Sequence, residues 1–314
     1  MYKFLCTDGL GLTMRQNELI ELALTFDFKG IEIDMADMVG RADSMGMQFA
    51  TQFVNSADVD IATYRLPLDL RTTDDDFAAE MTKLDRVCEL SQAIQARQCY
   101  LTLASTHPEL TYHENFEKHR ARIHEIADRL QAVGVKLGLQ FVAVKGPENE
   151  MQFIHKPEEL VALVAAINHD NVGLIVDTWN WQLAGATTET VTGLELGKVF
   201  EVRLADTPAD ATPENADRSQ RMEPGTRDDS IAQGVLDWIR DSEQDNPVAL
   251  TAHVHKSPGN AGELPFQRIG KCLDLMIAGT HGQEVPEMVE PGETSEEVAD
   301  NAAADDAAET VSTS

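Results

Sequence analysis

Residues 172–181 read VGLIVDTWNW. The stretch opens as an unbroken apolar run, the pattern of a strand buried on both faces, as in a parallel sheet. The run stops at Asp177, a carboxylate with no apolar reason to be there, and Trp179, Asn180 and Trp181 follow almost at once. Where strands and helices alternate around a barrel, a carboxylate at the carboxyl end of a strand points into the mouth, where active sites are assembled. Two questions follow: whether the rest of the chain closes such a barrel, and what faces Asp177 across it.

Seven further runs have the same strand character: 2–6, 30–34, 59–66, 98–104, 135–142, 199–204 and 247–254. Between them lie segments with helical spacing, at 16–26, 43–55, 74–95, 111–133, 157–167, 188–196 and 231–242, and a last one at 266–277. Local signals agree. Thr73 stands before three acids that suit a helix N-terminus, Thr111 and Glu114 have capping-box spacing, and Pro157 sits where a first helical turn tolerates proline. Strict alternation predicts a parallel sheet, and eight repeats over about 250 residues predict an α/β fold of the closed (β/α)8 kind. A doubly wound open sheet is the competing architecture. No GxGxxG follows the first strand to support it.

Composition bounds the function. The chain carries 54 acids against 25 Lys and Arg, a formal net charge of -29. Ten of those acids, with no Lys or Arg, lie in His281–Ser314, and the remainder is still strongly acidic. Such a surface repels phosphate backbones, so no nucleic-acid partner is expected. Residues 280–314, rich in Ala, Glu, Asp, Ser and Thr and without an aromatic, read as a disordered acidic tail behind a barrel domain at 1–279. Cys6, Cys88, Cys99 and Cys272 are scattered without a CxxC pair, as small buried hydrophobes of a reducing compartment would be. No signal-like or membrane-spanning apolar run appears, so no membrane partner and a cytoplasmic location are expected.

Five segments, GIEID (30–34), LGLQFVAVK (137–145), VGLIVDTWNW (172–181), VFEVRLAD (199–206) and RMEPGTRDDSI (221–231), together resemble the xylose isomerase-like family of TIM barrels. That family comprises sugar phosphate isomerases and epimerases and an endonuclease branch. The resemblance implies a small polyol, sugar or sugar acid as substrate, proton transfer beside a carbonyl, and pairing into homodimers. It also implies one divalent cation, held by a Glu ending the fifth strand, an Asp ending the sixth, a His in the seventh and a Glu ending the eighth. In this sequence those positions hold Gln140, Asp177, Arg203 and Thr251, and the family's D-T-x-H reads Asp177, Thr178, Trp179, Asn180.

Arginine stays protonated and offers no lone pair to a metal. The substitutions remove two carboxylates and place a fixed cation near the mouth. No metal or other cofactor is therefore expected. An Asp177–Arg203 ion pair, bonded at roughly 2.7–2.9 Å, is expected in place of the metal centre. Asp177, Arg203 and Gln140 are the catalytic candidates. Glu32, Trp179, Asn180, Asp206, Arg221 and Lys145 are the substrate-binding candidates, with Asp34, His107 and His253 as further acid–base groups near the mouth. Two functions stay open: an isomerase or epimerase with a degenerate site that works without metal, and a non-catalytic barrel that binds a small molecule or serves as a scaffold.

Overall fold

In the computed structural model, which describes residues 1–242, 244–255 and 262–280, each apolar run forms a strand. These are β1 (Tyr2–Leu5), β2 (Gly30–Ile33), β3 (Asp60–Tyr64), β4 (Gln98–Leu103), β5 (Lys136–Phe141), β6 (Val172–Asp177), β7 (Val199–Leu204) and β8 (Pro247–Leu250). All pair in parallel, in the order β3-β2-β1-β8-β7-β6-β5-β4. The two ends of that order meet. Arg65, just past β3, bridges Tyr100 of β4 in parallel, and the Leu66 N–H donates to the Tyr100 carbonyl at 2.8 Å. The sheet closes as a TIM barrel through that one bridge.

The helices are α1 (Gln16–Thr25), α2 (Met35–Met45), α3 (Met47–Asn55), α4 (Asp74–Ala93), α5 (Tyr112–Ala132), α6 (Pro157–Ile167), α7 (Thr178–Leu183), α8 (Thr188–Thr192), α9 (Ala232–Asp241) and α10 (Leu264–Ala278). Thr73 caps α4 by accepting from the Asp76 N–H, and Thr111 and Glu114 form the capping box of α5. Their buried faces pack on the outer faces of the strands in one large apolar core. Among the described residues, no helix is long and apolar enough to cross a membrane. The four cysteines are free and buried.

The sequence reading is corrected at three places. The helix expected at 43–55 is two helices, because Gly46 at φ 92° breaks the run, and Asp34 caps α2 by accepting from the Asp37 N–H. Residues 178–183, to which the sequence reading assigned no element, form α7, capped by Asp177 itself. The eighth strand ends at Leu250 rather than Val254, because the backbone beyond it bonds to loops: His253 N–H donates to the Arg221 carbonyl and Val254 N–H to the Leu10 carbonyl. The acidic tail expected from residue 280 lies, from His281 on, outside the described residues.

TIM-barrel interiors are ordinarily filled by layers of branched apolar side chains. Here the apolar part is small: Phe4, Cys6, Ala62 and Ala249 form a cluster separate from the main core. Above it the lumen is polar, and Glu201 and Arg203, alternate residues of β7, are both 0% exposed.

Candidate functional site at the barrel mouth

The carboxyl ends of the strands converge on a cavity of about 420 Å³, lined among others by Asp8, Arg65, Tyr100, Gln140, Asp177 and Trp179. A second cavity of about 590 Å³ adjoins it and shares Asp8, Arg65 and Tyr100 while adding Glu32 and Asp34.

Asp177 meets a cation, but not the expected one. Its partner is Arg221, from the loop after β7, whose Nη2 donates to Asp177 Oδ1 at 2.5 Å and to Thr251 Oγ1 at 2.9 Å. Arg221 Nε donates to the Thr251 carbonyl at 3.0 Å, and the guanidinium lies 5.0 Å from the centre of the Trp179 ring. The other Asp177 oxygen accepts from Asn180 Nδ2 at 2.9 Å, and Oδ1 also accepts from the Trp179 N–H. Asn180 Oδ1 in turn accepts from the Ala143 N–H, tying α7 to the loop after β5.

Gly9 makes room for this arrangement. At φ +87°, a Cβ there would fall 2.7 Å from the Thr251 carbonyl and 3.0 Å from Arg221 Nε. The Gly-containing loop after β1 thus serves the arginine's approach as well as its own left-handed turn.

Arg203 lies beside Asp177 in the β6–β7 register, yet its guanidinium turns down and across the barrel. Nε donates to Glu201 Oε1 at 2.6 Å, Nη1 to Asp8 Oδ2 at 3.0 Å, and Nη2 stands 3.6 Å from Glu32 Oε2. The physical reason is depth. Glu201 is sealed from water and would otherwise be an uncompensated buried charge, which is far more expensive than an ion pair forgone at the mouth. Glu32 is also held by the Tyr100 hydroxyl at 2.6 Å and the Cys6 thiol at 2.7 Å, and Gln98 Nε2 donates to Glu201 at 2.9 Å. Arg203 also lies 4.2 Å from the Tyr100 ring centre.

Burial and the Glu32 charge push the Glu201 carboxyl up against the pull of Arg203. Burial also pushes Asp8 up, but Arg203, Arg218 and Arg221 outweigh it and hold Asp8 below its ordinary value. Burial drives Cys6 and Tyr100 well above theirs, so both remain protonated donors to Glu32. His119, at the edge of the cavity, is pushed down to about 4 by burial, and its Nδ1 lies 2.9 Å from the Asn115 carbonyl.

The remaining candidates divide. Gln140, Trp179, Asn180 and Asp177 line one cavity, and Glu32 and Asp34 the adjoining one. Asp206 is buried away from both, accepting from the N–H groups of Thr226 and Arg227 and from the Ser230 hydroxyl, and so organises the loop that carries Arg221. Lys145 is exposed and pairs with Glu214. His107 accepts two loop N–H groups. His253 lines a groove beside α10. Sequence reasoning missed Asp8, Arg65, Tyr100, Glu201 and Arg218. Asp8 stands after β1 in the same way that Asp177 ends β6, and this was the available signal.

The family's cation can be tested against this donor set. The four positions supply one carboxylate, one amide, one hydroxyl and a guanidinium that has no lone pair to give. Arg221 already spans the Asp177 and Thr251 positions. Among the described residues, no group of three or more His, Cys, Asp or Glu is placed to hold a metal ion. The set does not fit a divalent cation.

Comparison with known proteins fixes the class. The chain belongs to the xylose isomerase-like TIM barrel family, whose model matches residues 20–261. A xylose isomerase domain protein from Alicyclobacillus acidocaldarius subsp. acidocaldarius has a similar fold, with a TM-score of 0.76 at 21% identity, covering 90% of this chain and 100% of that one. The IOLI protein with a bound zinc atom superposes with a TM-score of 0.73 at 15% identity, covering 90% of this chain and 100% of the other. D-psicose 3-epimerase of Clostridium cellulolyticum H10, in complex with D-tagatose, has a TM-score of 0.60 at 11% identity, covering 89% of this chain and 96% of the epimerase. In sequence, inosose isomerase of Bacillus subtilis (strain 168) is 28% identical over 83 residues, and the match spans 26% of this chain and only 28% of that enzyme.

Proposed function

We propose that this is a sugar isomerase- or epimerase-type barrel whose mouth takes a small polyol, sugar or sugar acid at a degenerate site that works without a metal. One observation carries the reading: the Arg221 guanidinium bridges Asp177 and Thr251, two of the positions from which the family holds its cation. A guanidinium there supplies a fixed positive charge, and its donors suit hydroxyl or carbonyl oxygens of a bound molecule. Trp179, 1% exposed, packs against that guanidinium and helps to hold it in place. The relatives named for inosose, D-psicose and D-tagatose chemistry are consistent with a polyhydroxylated ligand.

A second reading, a non-catalytic binding barrel, is favoured by a different observation. The two positions at which the resemblance places glutamates hold Gln140 and Thr251, and neither side chain titrates near neutral pH, so neither can carry a proton to or from carbon. Incubation with inososes, ketohexoses and sugar acids in deuterated water, followed by NMR, separates the two. Deuterium entering beside the carbonyl identifies an isomerase, and binding without exchange identifies a binding barrel. The same experiments with EDTA and with added Mn²⁺ test the metal-free reading. Unchanged binding and an unmoved Tm are expected. A ligand affinity that depends on Mn²⁺ would overturn it.

A further inference from the structure

We propose that Arg65 anchors an anionic group of the ligand, so that the mouth selects polyhydroxylated acids over neutral polyols. This deepens the reading above and rests on it. The first observation concerns pairing. Acids outnumber bases two to one, and every other arginine in the described residues except Arg97 has a carboxylate partner. At the main cavity the carboxylates are already matched: Asp8 with Arg218, Asp69 with Arg71, and Asp177 with Arg221. Arg65 has no such partner, is exposed, and lines both mouth cavities.

A second, independent observation points to a ligand in the same cavity. Gln140 Oε1 and Trp179 Nε1 have no hydrogen-bond partner, although their side chains are only 4% and 1% exposed. Buried polar atoms without partners are uncommon, and each calls for an explanation. Gln140 spends its amide N–H on Thr102 Oγ1 at 2.7 Å, leaving the oxygen free. The side chains that carry this acceptor and this donor, with the unpaired Arg65, belong to the lining of one cavity of about 420 Å³. The acceptor and the donor suit hydroxyl groups. The fork of the guanidinium suits a carboxylate or phosphate. In so acidic a protein, an anion needs such a dedicated cation to overcome the overall field.

The test measures dissociation constants calorimetrically for matched acids and alcohols: D-gluconate against D-glucitol, D-galactonate against galactitol, and D-glucitol 6-phosphate as a phosphate arm. The proteins are the wild-type chain, Arg65→Met, and Arg97→Met as a control of equal charge at the opposite end of the barrel. Arg65 has no side-chain partner, so its replacement is not expected to disturb folding. The acid, or the phosphate, is expected to bind at least tenfold more tightly than its alcohol. Arg65→Met is expected to erase that preference and leave the alcohol's affinity unchanged, and Arg97→Met to do neither. Which anion shows the preference identifies its source as carboxylate or phosphate. Equal binding of acid and alcohol, or a preference that survives in Arg65→Met, overturns the role of Arg65 while the polyol reading stands. Failure of every polyol, acid and neutral alike, to bind overturns both.

Discussion

Two buried arginines in this barrel do different work. Arg203 comes from a strand, is wholly enclosed, and faces three carboxylates, those of Glu201, Asp8 and Glu32. Arg221 comes from a loop, has one carboxylate partner, and completes its contacts on a hydroxyl and a carbonyl. The first neutralises charge that the barrel has already buried. The second neutralises the single carboxylate that ends β6, beside the mouth cavity. The number of anions each one faces, not residue type or burial, separates the two arginines.

The largest effect that would test this contrast comes from Arg203→Met. It leaves buried carboxylates without compensation and is expected to lower stability by about 3–5 kcal/mol, measured by urea unfolding. Pairing it with Glu201→Gln should recover much of that loss, and no recovery would show that Arg203 does not serve mainly to neutralise Glu201. Arg221→Met should cost less, about 2–3 kcal/mol, because Asp177 keeps the Asn180 and Trp179 N–H donors. It should abolish ligand binding, which none of the Arg203 arguments requires. A loss equal to that of Arg203→Met would break the comparison.

A third effect concerns acid. His119 is pushed down from 6.5 to about 4, so the unfolded chain takes up its proton first. Its contribution is complete above about pH 6.5 and is lost as pH falls to about 4, roughly 3 kcal/mol in all. His119→Gln should flatten that stretch of the pH–stability curve. The smallest effect sharpens the contrast inside the Arg203 cluster. Glu201 is raised, so its contribution is present below its ordinary range and fades as pH rises. Asp8 is lowered, so its contribution is present above its ordinary range and fades as pH falls. Glu201→Gln and Asp8→Asn should therefore change the slope of stability against pH in opposite directions. Slope changes of the same sign would mean that the two carboxyls do not share Arg203 in this way.

The fold was legible because buried parallel strands write themselves as apolar runs, and VGLIVD and VFEVRL both fall where they were read. The helices that escaped notice were short or began on an acid that looked like site chemistry. Asp34 and Asp177 end strands and cap the next helix in the same atoms. The site was half legible. Asp177, Gln140 and Thr251 could be placed because strand order fixes which residues reach the mouth. The partner of Asp177 could not, because Arg203 and Arg221 are both plausible from sequence. The choice between them turns on Glu201, a charge in the middle of an otherwise strand-like run whose burial appears only when the barrel closes. Arg65 was invisible for a related reason: what marks it is the absence of a partner, and pairing is a property of the folded chain.

The seam between β3 and β4 gives the barrel a weakest hoop. Between β4 and β5 six residue pairs lie in register, whereas β3 and β4 meet through the single bridge of Arg65 and Tyr100. A closed ring of strands opens most readily at its least-stitched joint. Local opening is therefore expected to begin beside Tyr100, with the backbone amide of Leu66 exchanging with solvent ahead of those on the neighbouring strands in a hydrogen-exchange measurement.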